Sequence, residues 1–214
     1  MELGIRWRRK RMGERMVEDA TMHRWISDIA AILDGIPWVL GGGLAVPMTL
    51  GSFARYHDDV DLLFDDAVFP QVEAAFARAG FALWQRFPMT FFGAWPGAIE
   101  LRVHQGDLLP RLRRRKLQFH RDGAAPLGVL RTVDALPFRI VDGVLCTCDR
   151  RQRVPLTLPL VGYVARTPAG HAVPCLHLSY VAILKGGRRE PKDLLDYARI
   201  RDVGLLPAGD WGIS

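Results

Sequence analysis

The sequence predicts an α/β or α+β fold in which helices flank a sheet. Two observations predict this class: short strand-like segments alternate with short helices between Pro37 and Val103, and the tail returns to helical spacing. Of the 214 residues, 49% are hydrophobic, so the chain can bury a sizeable core. We expect one domain over residues 17–110 and a C-terminal portion over residues 111–214 that ends in helices.

The N-terminal half contains most of the predicted elements. Met22, Trp25 and Ile29 recur at helical spacing, which predicts a helix over Val17–Asp34 that ends at Gly35. The other elements expected in this half are helices at Leu44–Leu50 and Phe69–Ala79 and strands at Pro37–Leu40, Asp59–Phe64, Phe81–Trp84, Met89–Phe92 and Ala98–Val103.

The two ends of the chain differ in pattern. Met1–Met16 is Arg-rich without a continuous apolar core, which excludes a secretory signal and predicts an extension outside the folded domain. No apolar run reaches the roughly 20 residues of a membrane span. The predicted elements beyond Gly106 are short strands near Phe138–Cys146 and Val154–Val164 and helices at Leu176–Lys185 and Pro191–Arg201.

The net charge indicates which ligands are expected, and the number of cysteines indicates the redox compartment. The net charge of +6, much of it in Arg6–Arg11 and Arg111–Lys116, favours anionic ligands such as nucleoside triphosphates or RNA. An odd count of three cysteines in a chain of this size indicates a reduced, cytosolic setting. Cys146-Thr147-Cys148 and Cys175-Leu176-His177 are spaced more tightly than usual zinc ligands, so small buried cysteines are the favoured interpretation. His23, His120 and His171 have no motif around them and are given no role.

The segment Trp38–Phe64 carries the chemistry. Residues two apart on a strand point to the same face, so the carboxylates of Asp59 and Asp61 project together. Two adjacent negative charges need a cation, and Mg²⁺ takes such hard oxygen ligands while leaving positions for phosphates. Upstream, the strand leads through Gly42-Gly43 into a helix, which brings backbone N–H groups close to phosphate oxygens. Phosphate and dication side by side are what phosphoryl transfer requires.

In its order of motifs this segment resembles the antibiotic nucleotidyltransferases of the DNA-polymerase-β-like superfamily. The aminoglycoside 2″-adenylyltransferases and lincosamide nucleotidyltransferases share the order GG…G…RxHxDxD, which runs here from Gly42 to Asp61. The tail KGGRREPKDLLDY, beginning at Lys185, is similar to a K…R.KD..D segment of the wider superfamily. The resemblance implies a mixed sheet flanked by helices and an Mg²⁺-dependent transfer of a nucleoside monophosphate from an NTP, ATP being the expected donor.

The resemblance also assigns roles to single residues. It implies that Gly42 and Gly43 hold the triphosphate and that Asp59 and Asp61 bind the metal. The residues expected to meet phosphate charge are Arg55, His57 and Lys185. For Arg55 and His57 the alternative is to fix their loop to the acidic strand, and for Lys185 it is to be a solvated lysine at a helix end.

The resemblance further implies a third carboxylate on a later strand, as metal ligand and as base for the acceptor hydroxyl. Glu100, Arg102 and His104 alternate on one face, which makes Glu100 the candidate for both roles. Asp107, just past the strand, is the second choice, and His104 could itself take the proton.

The acceptor is expected to be a small hydroxylated molecule. The antibiotic enzymes usually have Trp and Asp after the glycines, where this chain has Leu44 and Pro47, so their known acceptors are not carried over. The alternatives are a toxin-type enzyme that modifies tRNA or another RNA, favoured by the basic runs, and a non-catalytic nucleotide-binding protein of the same fold.

Overall fold

The computed structural model describes residues 5–9, 19–55, 57, 59–91, 95–102, 117–121, 132–147, 153–185 and 190–206. The α-helices in these ranges are α1 (Asp19–Ile32), α2 (Ala45–Leu50), α3 (Phe69–Arg78), α4 (Leu178–Lys185) and α5 (Pro191–Asp202). Short 3-10 turns precede α2 and α3, at Gly42–Leu44 and Asp66–Val68. No helix of the described part is long and apolar enough to cross a bilayer.

The strands form a mixed sheet. In chain order they are β1 (Ile5–Arg9), β2 (Val39–Leu40), β3 (Val60–Asp65), β4 (Phe81–Phe91), β5 (Trp95–Arg102), β6 (Leu117–Arg121), β7 (Thr132–Val141), β8 (Val144–Thr147), β9 (Arg153–Pro155), β10 (Val161–Arg166) and β11 (Ala172–Leu176). The order across the sheet is β1-β5-β4-β6-β7-β3-β2-β11-β10, and β8 joins β7 to β9. The pairs β3–β7 and β2–β11 are parallel and the others are antiparallel. The predicted α/β class is confirmed.

Strand β3 separates the two hydrophobic clusters. Its residues Val60, Leu62 and Phe64 are buried in the cluster that contains α1 and α3. Leu63 lies in the second cluster, with the C-terminal helices α4 and α5. Because side chains alternate along a strand, Asp61 lies on the Leu63 face, away from α1 and α3. The carboxylate of Asp61 therefore lies on the face of the sheet that packs against the C-terminal helices α4 and α5.

The helices and most strands lie where the sequence predicts them. Met22 and Ile29 of α1 are buried, as the helical spacing requires. The predicted strands Phe81–Trp84 and Met89–Phe92 are instead parts of one strand, β4, which ends at Phe91 in the described chain. Among the described residues the pairing of β6 with β4 extends to Gln85, so Pro88, which has no N–H to donate, lies beyond it.

Three features of the sheet differ from the expectation. Ile5–Arg9 forms a strand paired with β5, so the prediction that Met1–Met16 lies outside the fold is wrong for these residues. The strands β6 and β7 lie between β4 and β3, and β11 pairs with β2. The sheet therefore runs across the boundary expected at residue 110. Strand β6, the first half of β7 and β11 were not expected.

Candidate active site

A glycine turn lies against the carboxylate of Asp61. Strand β2 ends at Leu40, and Gly41 donates its backbone N–H to the carbonyl oxygen of Asp61 over 2.9 Å. Gly42 follows with φ +57°, in the left-handed region, and a Cβ atom there would overlap the carboxylate of Asp61. A Cβ at Gly43 would overlap the guanidinium of Arg55. The glycines are therefore required by close approach to charged side chains.

Gly42→Ala should reduce activity strongly. The methyl group must displace Asp61, and it also adds left-handed strain that costs about 1 kcal/mol. The matched control is Gly51→Ala, because Gly51 has φ +76° but a Cβ atom added there would meet nothing within 4 Å. Transfer rate and thermal unfolding measured on both variants separate strain from displacement. Equal activity of the two variants would contradict the close approach.

Three carboxylates converge beside this turn. Asp61 on β3 is the register partner of Asp134 on the parallel strand β7. Asp59, Asp61 and Asp134 each offer one oxygen atom, and these atoms all lie within 4.8 Å of one another. Asp134 is fully buried, whereas Asp59 and Asp61 are half-buried. Asp59 and Asp61 thus lie together, as their spacing predicts.

The donor set of this cluster fits a divalent cation. Three ionised carboxylates so close together repel one another unless a positive charge lies between them. All three donors are hard oxygens, the kind that Mg²⁺ prefers, and a three-carboxylate set leaves coordination positions for substrate oxygens. Among the described residues this is the His, Cys, Asp and Glu group whose geometry suits a metal ion.

The structure does not bring Glu100 to the pair. Glu100 lies on β5, and β4, β6 and β7 stand between β5 and β3. Four strand steps of about 4.8 Å put its backbone roughly 19 Å from that of Asp61. The expectation that Glu100 is the third carboxylate conflicts with this order of strands, and the carboxylate that lies beside Asp61 is that of Asp134. His104 and Asp107 lie outside the described residues.

Asp134 was not predicted as a site residue, because no sequence motif near it indicates that β7 pairs with β3. A signal exists in the sequence: Asp134 stands between the buried residues Val133 and Ala135, as Asp61 stands between Val60 and Leu62. A single acid within an apolar strand is costly to bury unless it is hydrogen-bonded, paired with a charge or bound to a metal. That pattern could have drawn attention to Asp134, but the parallel pairing of β3 with β7 could not be read from it.

Arg55 and Lys185 belong to a buried network of charges. Arg55 donates to both carboxylate oxygens of Asp196, from Nε over 3.0 Å and from Nη2 over 2.7 Å. The Nζ of Lys185 donates to Asp193 and to Asp196, each over 2.6 Å. Asp193 and Asp196 are 4% and 1% exposed. Two cations and two anions thus join the loop before β3 to α4 and α5.

This network of charges bears on the alternatives considered for Lys185 and Arg55. Lys185 is 10% exposed and ion-paired, so it is not a solvated lysine at a helix end. Arg55 fixes its loop to α5 rather than to the acidic strand alone, and Arg199 donates to Ser52 of the same loop over 2.6 Å. Burial by itself raises the pKa of Asp196, but the hydrogen bonds and charges of Arg55 and Lys185 outweigh it and hold the pKa below its ordinary value.

His57 is a buried residue of the same loop. It is 4% exposed, and its ring meets the ring of Phe53 edge-on at 6.3 Å between centroids. Phe53 in turn contacts His23 at 5.2 Å, which ties the loop to α1. A phosphate contact of His57 stays a prediction.

Cys175 behaves as a small core residue, whereas Cys146 on β8 is half-buried. Cys175 is fully buried on β11 and donates its S–H to the carbonyl of Val173. Burial raises the pKa of Cys175 to about 11, so its thiol stays protonated and is a poor metal ligand. His177 uses Nδ1 to accept the backbone N–H of Ser179. Cys148 lies outside the described residues, so the zinc alternative is tested only in part.

Comparison with known families bears on this geometry. The model of the aminoglycoside-2″-adenylyltransferase family matches residues 26–123, which include the glycine turn, Asp59 and Asp61. Over these residues the chain is similar to the aminoglycoside-2″-adenylyltransferases. The resemblance predicted from the GG…RxHxDxD order is therefore confirmed, and with it the class of enzyme. The match ends before Asp134, so the third carboxylate rests on the geometry described above.

Two solved structures are similar to this chain. The lincomycin-bound lincosamide antibiotic adenylyltransferase LnuA is 14% identical, with a TM-score of 0.55 over 88% of this chain and 99% of that chain. ANT(2″)-Ia in complex with adenylyl-2″-tobramycin is 17% identical, with a TM-score of 0.49 over 86% and 89%. The first likeness confirms the fold. Among curated proteins the comparison finds no match.

Proposed function

We propose that this protein transfers a nucleoside monophosphate from an NTP to a hydroxyl group of a small molecule and releases pyrophosphate. The observation that carries the proposal is the convergence of Asp59, Asp61 and Asp134 beside the Gly42 turn. Phosphoryl transfer depends on positioning and on charge neutralisation more than on covalent chemistry. A carboxylate cluster next to an open backbone turn provides for both.

The chain's own residues divide the task between the two sides of the site. The backbone of Gly42 and Gly43, without Cβ atoms, can approach the triphosphate closely. Asp59, Asp61 and Asp134 would hold Mg²⁺, which when bound neutralises the charge of the phosphates. Asp134 is the carboxylate that we assign to accept the proton of the acceptor hydroxyl, in place of Glu100.

Arg55 and Lys185 act indirectly in this proposal. Both cations are paired with Asp193 and Asp196, so their charge is already balanced within the protein. Arg55 instead fixes the loop that leads into Asp59. A shift of this loop would move Asp59 against Asp61, so the network preserves the spacing of the metal ligands.

A small acceptor is favoured by the family match. The family is named for adenylyl transfer to the 2″ position of aminoglycosides, and its model matches residues 26–123. Leu44 and Pro47, both close to the glycine turn, depart from the family pattern, so the acceptor need not be an aminoglycoside. ATP is the donor that we propose, since the matched family transfers adenylyl groups.

A labelling assay tests the function. The protein is incubated with Mg²⁺ and each of ATP, CTP, GTP and UTP labelled at the α-phosphate. The acceptors are aminoglycosides, lincosamides and sugars, or total tRNA. We expect label from ATP on a small molecule, and none with Asp61→Asn.

Two results would overturn the proposal. Label on tRNA that disappears in an Arg113/Arg114/Arg115→Ala variant would mean an RNA-modifying enzyme, since those arginines could follow a phosphate backbone. Failure of Mg²⁺ and NTP to bind together, measured by calorimetry, would mean a non-catalytic protein of the same fold.

A further inference from the structure

Gln118 and His120 lie next to the catalytic cluster, on the strand beyond Asp134. Gln118 on β6 is the register partner of Asp134 on β7, and its side-chain amide donates from Nε2 to Oδ1 of Asp134. His120 lies two residues further along β6, with Nε2 3.3 Å from Oε1 of Gln118. Gln118 and His120 are 2% and 4% exposed, so water does not substitute for these contacts.

The direction of each hydrogen bond follows from the chemistry of the groups. An ionised carboxylate only accepts, so the NH₂ group of Gln118 must face Asp134. Its carbonyl oxygen then faces His120, which must donate from Nε2. With the amide reversed, its oxygen would face the carboxylate and its NH₂ group would face the N–H of His120, and both contacts would be repulsive. A His120 that donates from Nε2 therefore reinforces the amide orientation that Asp134 requires.

We propose that Gln118, oriented by His120, is a positioning residue that holds the carboxylate of Asp134 for metal binding and proton transfer. This inference rests on the proposed function. Gln118 contacts Oδ1 of Asp134, and a carboxylate has a second oxygen that can serve as a ligand. A neutral amide fixes the carboxylate without neutralising it, whereas Lys or Arg at this position would compete with the cation.

Four variants separate the parts of this arrangement. Gln118→Leu removes the donor, and Gln118→Glu places a carboxylate against Asp134 at nearly the same shape. His120→Phe keeps a ring but loses the N–H, whereas His120→Gln keeps a donor. The matched control is Phe119→Leu, because Phe119 lies between them on β6 but is buried in the opposite cluster, against Phe76.

Two measurements are made on each folded variant. One is the dissociation constant for Mn²⁺ without nucleotide, and the other is kcat and KM for the NTP at saturating Mg²⁺. For Gln118→Leu we expect Mn²⁺ binding and kcat to fall by about 10- to 100-fold, as for other residues that orient a metal ligand. KM for the NTP should change little. Gln118→Glu should lose more Mn²⁺ affinity and kcat than Gln118→Leu, and His120→Phe should lose about as much as Gln118→Leu. His120→Gln should keep both quantities close to those of the wild type.

The outcomes distinguish this inference from the function on which it rests. Folded Gln118→Leu with wild-type Mn²⁺ affinity and kcat would overturn the inference. If Gln118→Leu does not fold, the same result for His120→Phe would overturn it. An equal loss in Phe119→Leu would also overturn it, because any disturbance of β6 would then suffice. Asp134→Asn is the reference: if it retains Mn²⁺ affinity and activity, the proposed metal site itself fails.

Discussion

Asp134→Asn should reduce nucleotide transfer by roughly three orders of magnitude, because a metal ligand contributes several kcal/mol and each ~1.4 kcal/mol is a factor of ten. The substitution removes one of three charges without changing the shape of the side chain. The fold should survive, since an uncharged amide is easier to bury than a carboxylate without its cation. Steady-state kinetics with labelled NTP, together with thermal unfolding, measure both effects.

Glu100→Gln is the control for Asp134→Asn. Both replace a carboxylate on a sheet strand by its amide, but β5, which carries Glu100, is separated from β3 by three strands. Glu100→Gln should therefore keep activity close to that of the wild type. A severe loss in Glu100→Gln with a mild loss in Asp134→Asn would restore Glu100 as the third carboxylate and contradict the position assigned to Asp134.

Asp196→Asn should lower the free energy of unfolding by about 3–5 kcal/mol, because it leaves buried cations without their partner. Asp196 is 1% exposed and accepts from both Arg55 and Lys185. Asp193 remains for Lys185, but Arg55 loses its bidentate ion pair with α5, because an amide offers one uncharged acceptor oxygen where the carboxylate offers two. Urea unfolding monitored by circular dichroism measures the loss.

The exposed pair of Lys192 and Glu190 provides the control. These side chains are 53% and 62% exposed at 3.5 Å, so Glu190→Ala should change stability by less than about 1 kcal/mol. Equal losses in Glu190→Ala and Asp196→Asn would mean that burial does not strengthen the network.

The network also predicts a pH dependence. The pKa of Asp196 is lower in the folded chain than its ordinary value of 3.8, so its stabilisation is complete above that value and is lost as the pH falls through the folded-state pKa. The acid limb of the wild-type stability curve should therefore flatten in Asp196→Asn.

The part of the site that the sequence predicts is the part in which the relevant residues are neighbours along the chain. Asp59 and Asp61 share a face because of strand periodicity, and Gly42 is marked by the turn that follows β2. These inferences need no knowledge of which strands pair. The approach of Gly42 to Asp61 is then a consequence of the pairing between β2 and β3.

The parts that the sequence does not predict depend on pairing between distant strands. Asp134 lies beside Asp61 only because β7 pairs with β3 in parallel. Parallel strands are not joined by a short turn, so the sequence contains no turn signal that indicates this pairing. The alternation of Glu100 with its neighbours correctly indicates a strand, but it does not tell how many strands separate it from β3. Gln118 and His120 were overlooked for the same reason, since β6 has no motif of its own.

The position of the bound metal tests the central claim most directly. A crystal of the protein grown with Mn²⁺ and a non-hydrolysable ATP analogue, measured at the manganese absorption edge, locates the ion by its anomalous signal. We predict an ion held by Asp59, Asp61 and Asp134, with the triphosphate against the Gly42-Gly43 turn. An ion held without Asp134, or with Glu100, His104 or Asp107 in its place, would contradict the account.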